Sequence, residues 1–257
     1  MSKLFSKKLK EAVFSRGKEL GRTGFYGKFD NFMRYVTFGI SSVLVLTPIT
    51  GNQISMIGAL FNLLSAAAFA MGNLKFYILA FVFLILGELA DWVDGTVARY
   101  RNEKTVLQAN FLGRTYHILT LGFIIAGIGV GVYRNTGNTL YLLAGFWAAM
   151  IQQTTIYFLE LKTTILLENT KNKYKSGTQV TRAFVNTDNK ELLVKIFVLP
   201  IDYFWIKFIL LAGIIFNILH WIVLFYAVYL TIRAMIFFYF SYYILKKIET
   251  GLNNSEK

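Results

Sequence analysis

The sequence predicts an all-α polytopic membrane protein, with six transmembrane helices preceded by an amphipathic and interfacial N-terminal segment. Three observations carry that expectation. The 257 residues are 55% hydrophobic and only 16% charged, with a mean hydropathy of +0.50, whereas a soluble domain carries about 25% charged residues. There are only two prolines among long runs of Leu, Ile and Phe, and none of the short alternating segments that mark a membrane β-barrel. The net charge of +13 gathers at the ends of apolar runs, where loops face anionic headgroups. That distribution points to membrane lipid as the partner, and not to nucleic acid. The absence of cysteine excludes disulfides and thiolate metal sites.

Residues 1–51 form the N-terminal segment. Nine basic residues fall within 1–36 (Lys3, Lys7, Lys8, Lys10, Arg16, Lys18, Arg22, Lys28 and Arg34), with no apolar run long enough for a cleavable signal. Phe5, Leu9, Val13 and Phe14 recur at near-helical spacing among them, so either a basic helix lies on the cytoplasmic leaflet or the stretch is a solvated tail. Tyr35–Thr50 is apolar but too short to cross and ends at Thr47-Pro48-Ile49-Thr50-Gly51, which makes it an interfacial lead-in.

Residues 52–245 are the membrane domain, since a span needs about 20 apolar residues. Its six spans are Asn52–Met71, Phe76–Arg99, Ala109–Tyr133, Thr139–Leu159, Phe204–Leu219 and Trp221–Leu245. Residues 168–192 form a polar loop rich in lysine, and 246–257 a polar tail. With both termini in the cytoplasm, the 99–104 and 168–192 loops lie there too, leaving only Lys75 and Arg134 outside; the asymmetry fixes the orientation. The third span carries Gly127 and Gly131 four residues apart, a spacing that serves close packing within the bundle or a dimer face.

The organising stretch is Asp91-Trp92-Val93-Asp94-Gly95-Thr96-Val97-Ala98-Arg99, the polar end of a span that is otherwise apolar from Phe76. Carboxylates at a membrane mouth are costly and therefore functional candidates. At 100° per residue Glu88, Asp91, Gly95 and Ala98 share one stripe, with Asp94 at its edge. Carboxylates followed by bare backbone suit a hard cation and a phosphate-bearing ligand, because Mg²⁺ is commonly held by one or two carboxylates plus substrate phosphates. The competing reading is ion pairing of Asp91 and Asp94 with Arg99, Arg101 or Lys104.

Asp91-x-x-Asp94-Gly95-x-x-Ala98-Arg99 on the second of six spans resembles the signature of the CDP-alcohol phosphatidyltransferase family. Thr47-Pro48 with Asn52-Gln53-Ile54-Ser55 more weakly resembles the Pro-Asn-x-x-Thr entry to that family's first span. The resemblance implies metal-dependent transfer of a phosphoalcohol from a CDP-alcohol donor to a hydroxyl acceptor with release of CMP, in phospholipid or related envelope biosynthesis. It implies Asp91 and Asp94 as ligands of Mg²⁺ or Mn²⁺, Gly95, Ala98 and Arg99 at the nucleotide, and a homodimer as a common assembly.

The family's Gly-x-x-x-Asp-x-x-x-Asp continuation is missing. The usual spacing reaches Gln108, Leu112 and Tyr116; one more residue reaches Ala109, Gly113 and His117. No Asp or Glu occurs between Lys104 and Leu159. His117, about two turns or roughly 12 Å beyond Ala109, can act as metal ligand or general base and is the candidate catalytic group. Arg114 is a candidate phosphate ligand or an arginine reaching for the interface. Glu88 and Glu160 are candidate extra ligands, and Glu160 can equally pair with Lys162. Two readings follow: an active transferase, or a family-shaped protein without catalysis that binds nucleotide, lipid or a partner protein. A transporter ranks third, since no repeated half with broken helices is present.

Overall fold

The computed structural model describes residues 7–14, 24–103, 106–169 and 203–255. They form helices α1 (7–14), α2 (Gly24–Leu44), α3 (Gly51–Ala70), α4 (Leu74–Arg101), α5 (Val106–Thr136), α6 (Thr139–Asn169), α7 (Tyr203–Ile215) and α8 (Leu219–Ser255), and no strand occurs among the described residues. Among the described residues, three stretches are long and apolar enough to cross a membrane: Gly51–Ala70, Leu74–Arg101 and Leu219–Tyr243. The polar loop, 168–192, falls almost wholly outside the described residues.

The helix ends follow local chemistry. Thr50 and Gln53 form a reciprocal capping box, with Gln53 N–H donating to Thr50 Oγ1 at 3.3 Å and Thr50 N–H to Gln53 Oε1 at 2.9 Å. Asn73 Oδ1 caps α4 by accepting Phe76 N–H at 3.1 Å. Asn102 ends α4 with φ +54°, and Glu103 N–H reaches back to the Ala98 carbonyl at 3.0 Å. That is the six-to-one closure of a Schellman turn.

Several predicted boundaries move. The lead-in helix starts earlier, at Gly24, and stops at Leu44, so 45–50 is a linker and not helix. Helix α6 runs ten residues past Leu159, and α8 continues to Ser255, making most of the expected polar tail helical. The fifth apolar segment is shorter than expected, because α7 stops at Ile215 and the chain turns through Asn217 at φ +56°.

The chain divides into two compact units, residues 1–68 with 78–120 and residues 69–77 with 121–257. In the first, Leu9, Val13, Val45, Ile54, Ala90, Val93 and Val97 make one buried cluster. The apolar side of α1 therefore sits in protein, with Lys7, Lys8 and Lys10 exposed. Helix α2 is inside out by the standards of a soluble protein. Phe32, Tyr35, Val36 and Val43 are exposed, while Arg34, Thr37 and Ser41 are buried, as expected where the surroundings are lipid. Helices α3 and α4 are joined by Ser65 Oγ donating to the Ala80 carbonyl at 2.8 Å and by stacking of Phe61 on Phe83.

In the second unit, glycines set the helix spacing. A Cβ on Gly131 would lie 2.0 Å from the Phe69 carbonyl oxygen, and one on Gly129 would lie 2.8 Å from the Gly145 Cα. Both contacts are within the chain, so these glycines serve bundle packing. Gly213 similarly admits Leu219 and Ile222 where α7 folds onto α8.

Candidate functional site

The C-terminal end of α4 holds the acidic stretch, and three segments of the first unit converge on it. Helix α3 supplies Ser55, whose hydroxyl donates to Asp94 Oδ2 in a short bond. The other carboxylate oxygen of Asp94 accepts the Gly95 N–H. Asp91 lies one turn earlier and is half-buried. The α3 N-terminus comes in against the same turn: a Cβ on Gly51 would meet the Asp94 carbonyl oxygen at 2.8 Å and the Ala98 Cβ at 3.0 Å. Small residues at 51 and 98 therefore bring the two helices close enough for Ser55 to reach Asp94.

Glu103, just past the Schellman turn, fixes that approach. Its carboxylate accepts the Gly51 N–H at 3.1 Å, placing negative charge at the positive end of α3. Arg101 gathers the 45–50 linker. It donates to the carbonyls of Leu44 at 3.1 Å and Val45 at 3.3 Å, and in short bonds to those of Thr47 and Ile49. Its carboxylate neighbour is Glu103, at 3.8 Å; of the ion pairs weighed from the sequence, the Arg101 version is replaced by this one.

Two arginines hold α1 in place. Arg99 Nε donates to the Ala12 carbonyl at 2.8 Å, and Arg34 Nη1 donates to the Val13 carbonyl. Both bonds give a carbonyl oxygen of α1 a charged donor. Both arginines also touch the acidic stretch. Arg34 stacks over Trp92 at 5.4 Å, and Arg99 Nη2 donates to Thr96 Oγ1 at 3.3 Å. A charged hydrogen bond is worth about 1.5–3 kcal/mol. Arg99→Gln is accordingly expected to speed amide hydrogen exchange in residues 7–14 by about tenfold or more, and unchanged exchange there would show that Arg99 does not hold α1.

The positions singled out from sequence fare differently. Asp91, Asp94, Gly95, Ala98 and Arg99 all lie on one helix end, with Asp94 oriented from α3. Gly95 is bare on the side facing Arg99, whose Nη1 would lie 3.1 Å from an added Cβ. Ala98 abuts Gly51, so its small size has a packing reason in addition to the nucleotide role the resemblance implies. Glu88 is buried and its Oε1 accepts Trp92 Nε1–H at 2.9 Å. His117 and Arg114 lie on α5 and Glu160 on α6, but their side chains fall outside those described.

Sequence reasoning overlooked Ser55, Gly51, Arg101 and Glu103 as parts of the site. A signal existed for the first: Ser55 is the final position of the weak Asn52-Gln53-Ile54-Ser55 match, and the structure turns that match into a contact with Asp94. The others are joined to their partners across more than fifty residues of chain, a separation that periodicity cannot register.

No family model matches the chain. No curated protein matches it either.

Among the described residues no three His, Asp or Glu side chains converge as a metal cage. Two carboxylates one turn apart are the set that a Mg²⁺-like ion accepts when phosphate oxygens complete its shell. Ser55 and Gly95 each bond one oxygen of the Asp94 carboxylate and so orient it. The residues fit such an ion.

Proposed function

We propose that this protein is a membrane-embedded transferase that moves a phosphoalcohol from a CDP-alcohol to a hydroxyl acceptor and releases CMP. The observation that carries the reading is the Ser55–Asp94 bond. It orients one of the two carboxylates of the Asp91-x-x-Asp94-Gly95-x-x-Ala98-Arg99 stretch with a residue from the helix where the resemblance expects a hydroxyl. The proposal includes six spans, with both termini in the cytoplasm, from the loop charges.

In this reading Asp91 and Asp94 hold Mg²⁺ or Mn²⁺, which would offset charge on the diphosphate and on the departing CMP. Ser55 fixes the Asp94 rotamer. Gly95 leaves the backbone open beside the diphosphate, and the Arg99 guanidinium supplies positive charge to its oxygens. His117 takes the proton of the acceptor hydroxyl as that oxygen attacks the phosphorus of the transferred group and the bond to CMP breaks. Arg114 contributes positive charge toward the same phosphates, and Glu88 and Glu160 are the reserve carboxylates.

A second reading is favoured by one observation: the absence of any acidic residue between Lys104 and Leu159, which removes the family's remaining carboxylates. In it the same helix end binds a nucleotide or lipid phosphate without turnover.

Incubation of the purified protein with a panel of CDP-alcohols and divalent metal, followed by CMP release, separates the two. Turnover is expected, abolished in Asp91→Asn, with His117→Ala lowering kcat more than donor affinity. A metal-dependent rise in Tm with CDP but no CMP release from any donor selects the binding reading. No response to CDP with metal would end both.

A further inference from the structure

Helices α6 and α8 of the second unit meet along a polar seam set in apolar surroundings. Trp147 Nε1 donates to Thr231 Oγ1 at 2.8 Å, Arg233 Nη1 donates to Gln152 Oε1 at 3.2 Å, and the Lys162 ammonium lies 5.5 Å from the Phe237 ring centroid. Arg233 and Phe237 are one turn apart on α8, about 6 Å along the axis. Two cations thus reach the seam, Lys162 from α6 and Arg233 from α8. Arg233 lies inside the apolar stretch Leu219–Tyr243.

Among the described residues no carboxylate is placed against either cation of that seam. A guanidinium has five N–H donors, and among the described residues Arg233 donates a single hydrogen bond, to the neutral amide oxygen of Gln152. Neither 121–159 nor 203–248 contains an Asp or Glu, and the side chains of Glu160 and Glu168 on α6 lie outside those described. A cation out of water is costly unless paired, and ionisable residues inside a span mark ligand sites more often than packing. The outer flank of α8 beside these groups is apolar and exposed: Val228, Ile232, Met235 and Tyr239.

We propose that the α6–α8 seam binds the phosphate of an anionic membrane lipid, with Arg233 and Lys162 as its cations, Gln152 orienting the guanidinium, and acyl chains lying along Val228, Ile232 and Met235. A lipid is favoured over free phosphate because the cations are bordered by that exposed apolar strip. The site is independent of the acidic end of α4 and stands whether or not the transferase reading does.

The full chain, purified in a zwitterionic detergent, is titrated separately with phosphatidylglycerol, phosphatidylcholine and inorganic phosphate, following Tm and bound lipid by native mass spectrometry. Phosphatidylglycerol is expected to raise Tm and remain bound, and the other two to do neither. Arg233→Gln should weaken phosphatidylglycerol binding about tenfold or more and Lys162→Gln several-fold. Lys10→Gln, which removes an equal charge from an exposed position, should leave it unchanged. Without lipid, Arg233→Gln should be no less stable than the parent, since it removes a charge for which the described residues offer no counter-ion. If Arg233→Gln fails to fold, Lys162→Gln and Arg233→Lys decide the matter by the same titration. Equal binding of both lipids, a full response to inorganic phosphate alone, or an Arg233→Gln variant that retains its phosphatidylglycerol response would each overturn the proposal. So would lipid-independent destabilisation by Glu160→Gln matching that of Arg233→Gln, which would make Glu160 the counter-ion.

Discussion

Asp94→Ala should eliminate CMP release, by about 10²–10³-fold or more, while Ser55→Ala reduces it by only about 10–100-fold. The difference follows from what each side chain does. Asp94 contributes oxygen atoms and negative charge where a divalent ion and a diphosphate would meet, and alanine provides neither. Ser55 contributes one hydrogen bond, short and between groups on different helices, that limits the carboxylate to one orientation. Without it Asp94 retains its bond from the Gly95 N–H and can still swing into place, at an entropic cost. The measurement is turnover against metal concentration. Asp94→Ala should not be rescued at any concentration, whereas Ser55→Ala should recover part of its rate as metal rises. Equal losses in the two variants, both refractory to metal, would mean that the pair holds α3 to α4 and has no part in ligand binding.

Gly131→Ala should be the most damaging single methyl in the protein. The added Cβ would lie 2.0 Å from the Phe69 carbonyl oxygen, with the Phe69 carbonyl carbon and the Gly72 Cα also within 3.3 Å. All three are backbone atoms, and Gly72 is itself fixed in a turn at φ +81°. No rotamer change relieves such a clash, so the helix must move; a loss of about 3 kcal/mol or more is expected, at or beyond the upper end for overpacking. Gly122→Ala is the control. Its Cβ would meet the amide end of the Gln153 side chain at 2.3 Å, which can turn away, so its cost should stay near about 1 kcal/mol. Thermal unfolding in detergent reads both, and a Gly131 variant no less stable than the Gly122 variant would show that the close approach is not maintained.

The apolar elements were the most legible part of the chain, since a run of about 20 apolar residues reports itself. Asn52–Met71 and Gly51–Ala70 differ by one residue at each end, and the start of α4 is marked by Gly72-Asn73 in sequence and structure alike. Helix ends set by long-range partners were not legible. The lead-in was expected to continue to Thr50 because 45–50 reads as apolar; Pro48, which disfavours helix at the residue before it, and Arg101 collecting the carbonyls of 44, 45, 47 and 49 explain a linker there. The amphipathic pattern of α1 was visible, but nothing local said that Leu9 and Val13 would be buried beside Val93 and Val97. The acidic pair was legible as costly and unusual; its orientation by Ser55 required the close approach of Gly51 to Ala98. The Gly127 and Gly131 spacing left two uses open, and the contact of Gly131 with Phe69 assigns that glycine to packing within one chain.

The short turn after α4 acts as a length gauge. Because Asn102 reverses the chain and Glu103 immediately grips the first amide of α3, the stagger between the two helices is set by a single residue's reach. Lengthening that connection would slide Gly51 off Ala98 and carry the serine hydroxyl away from its carboxylate. A surface bend that would ordinarily tolerate insertion is therefore as intolerant of added residues as the acidic stretch is of substitution.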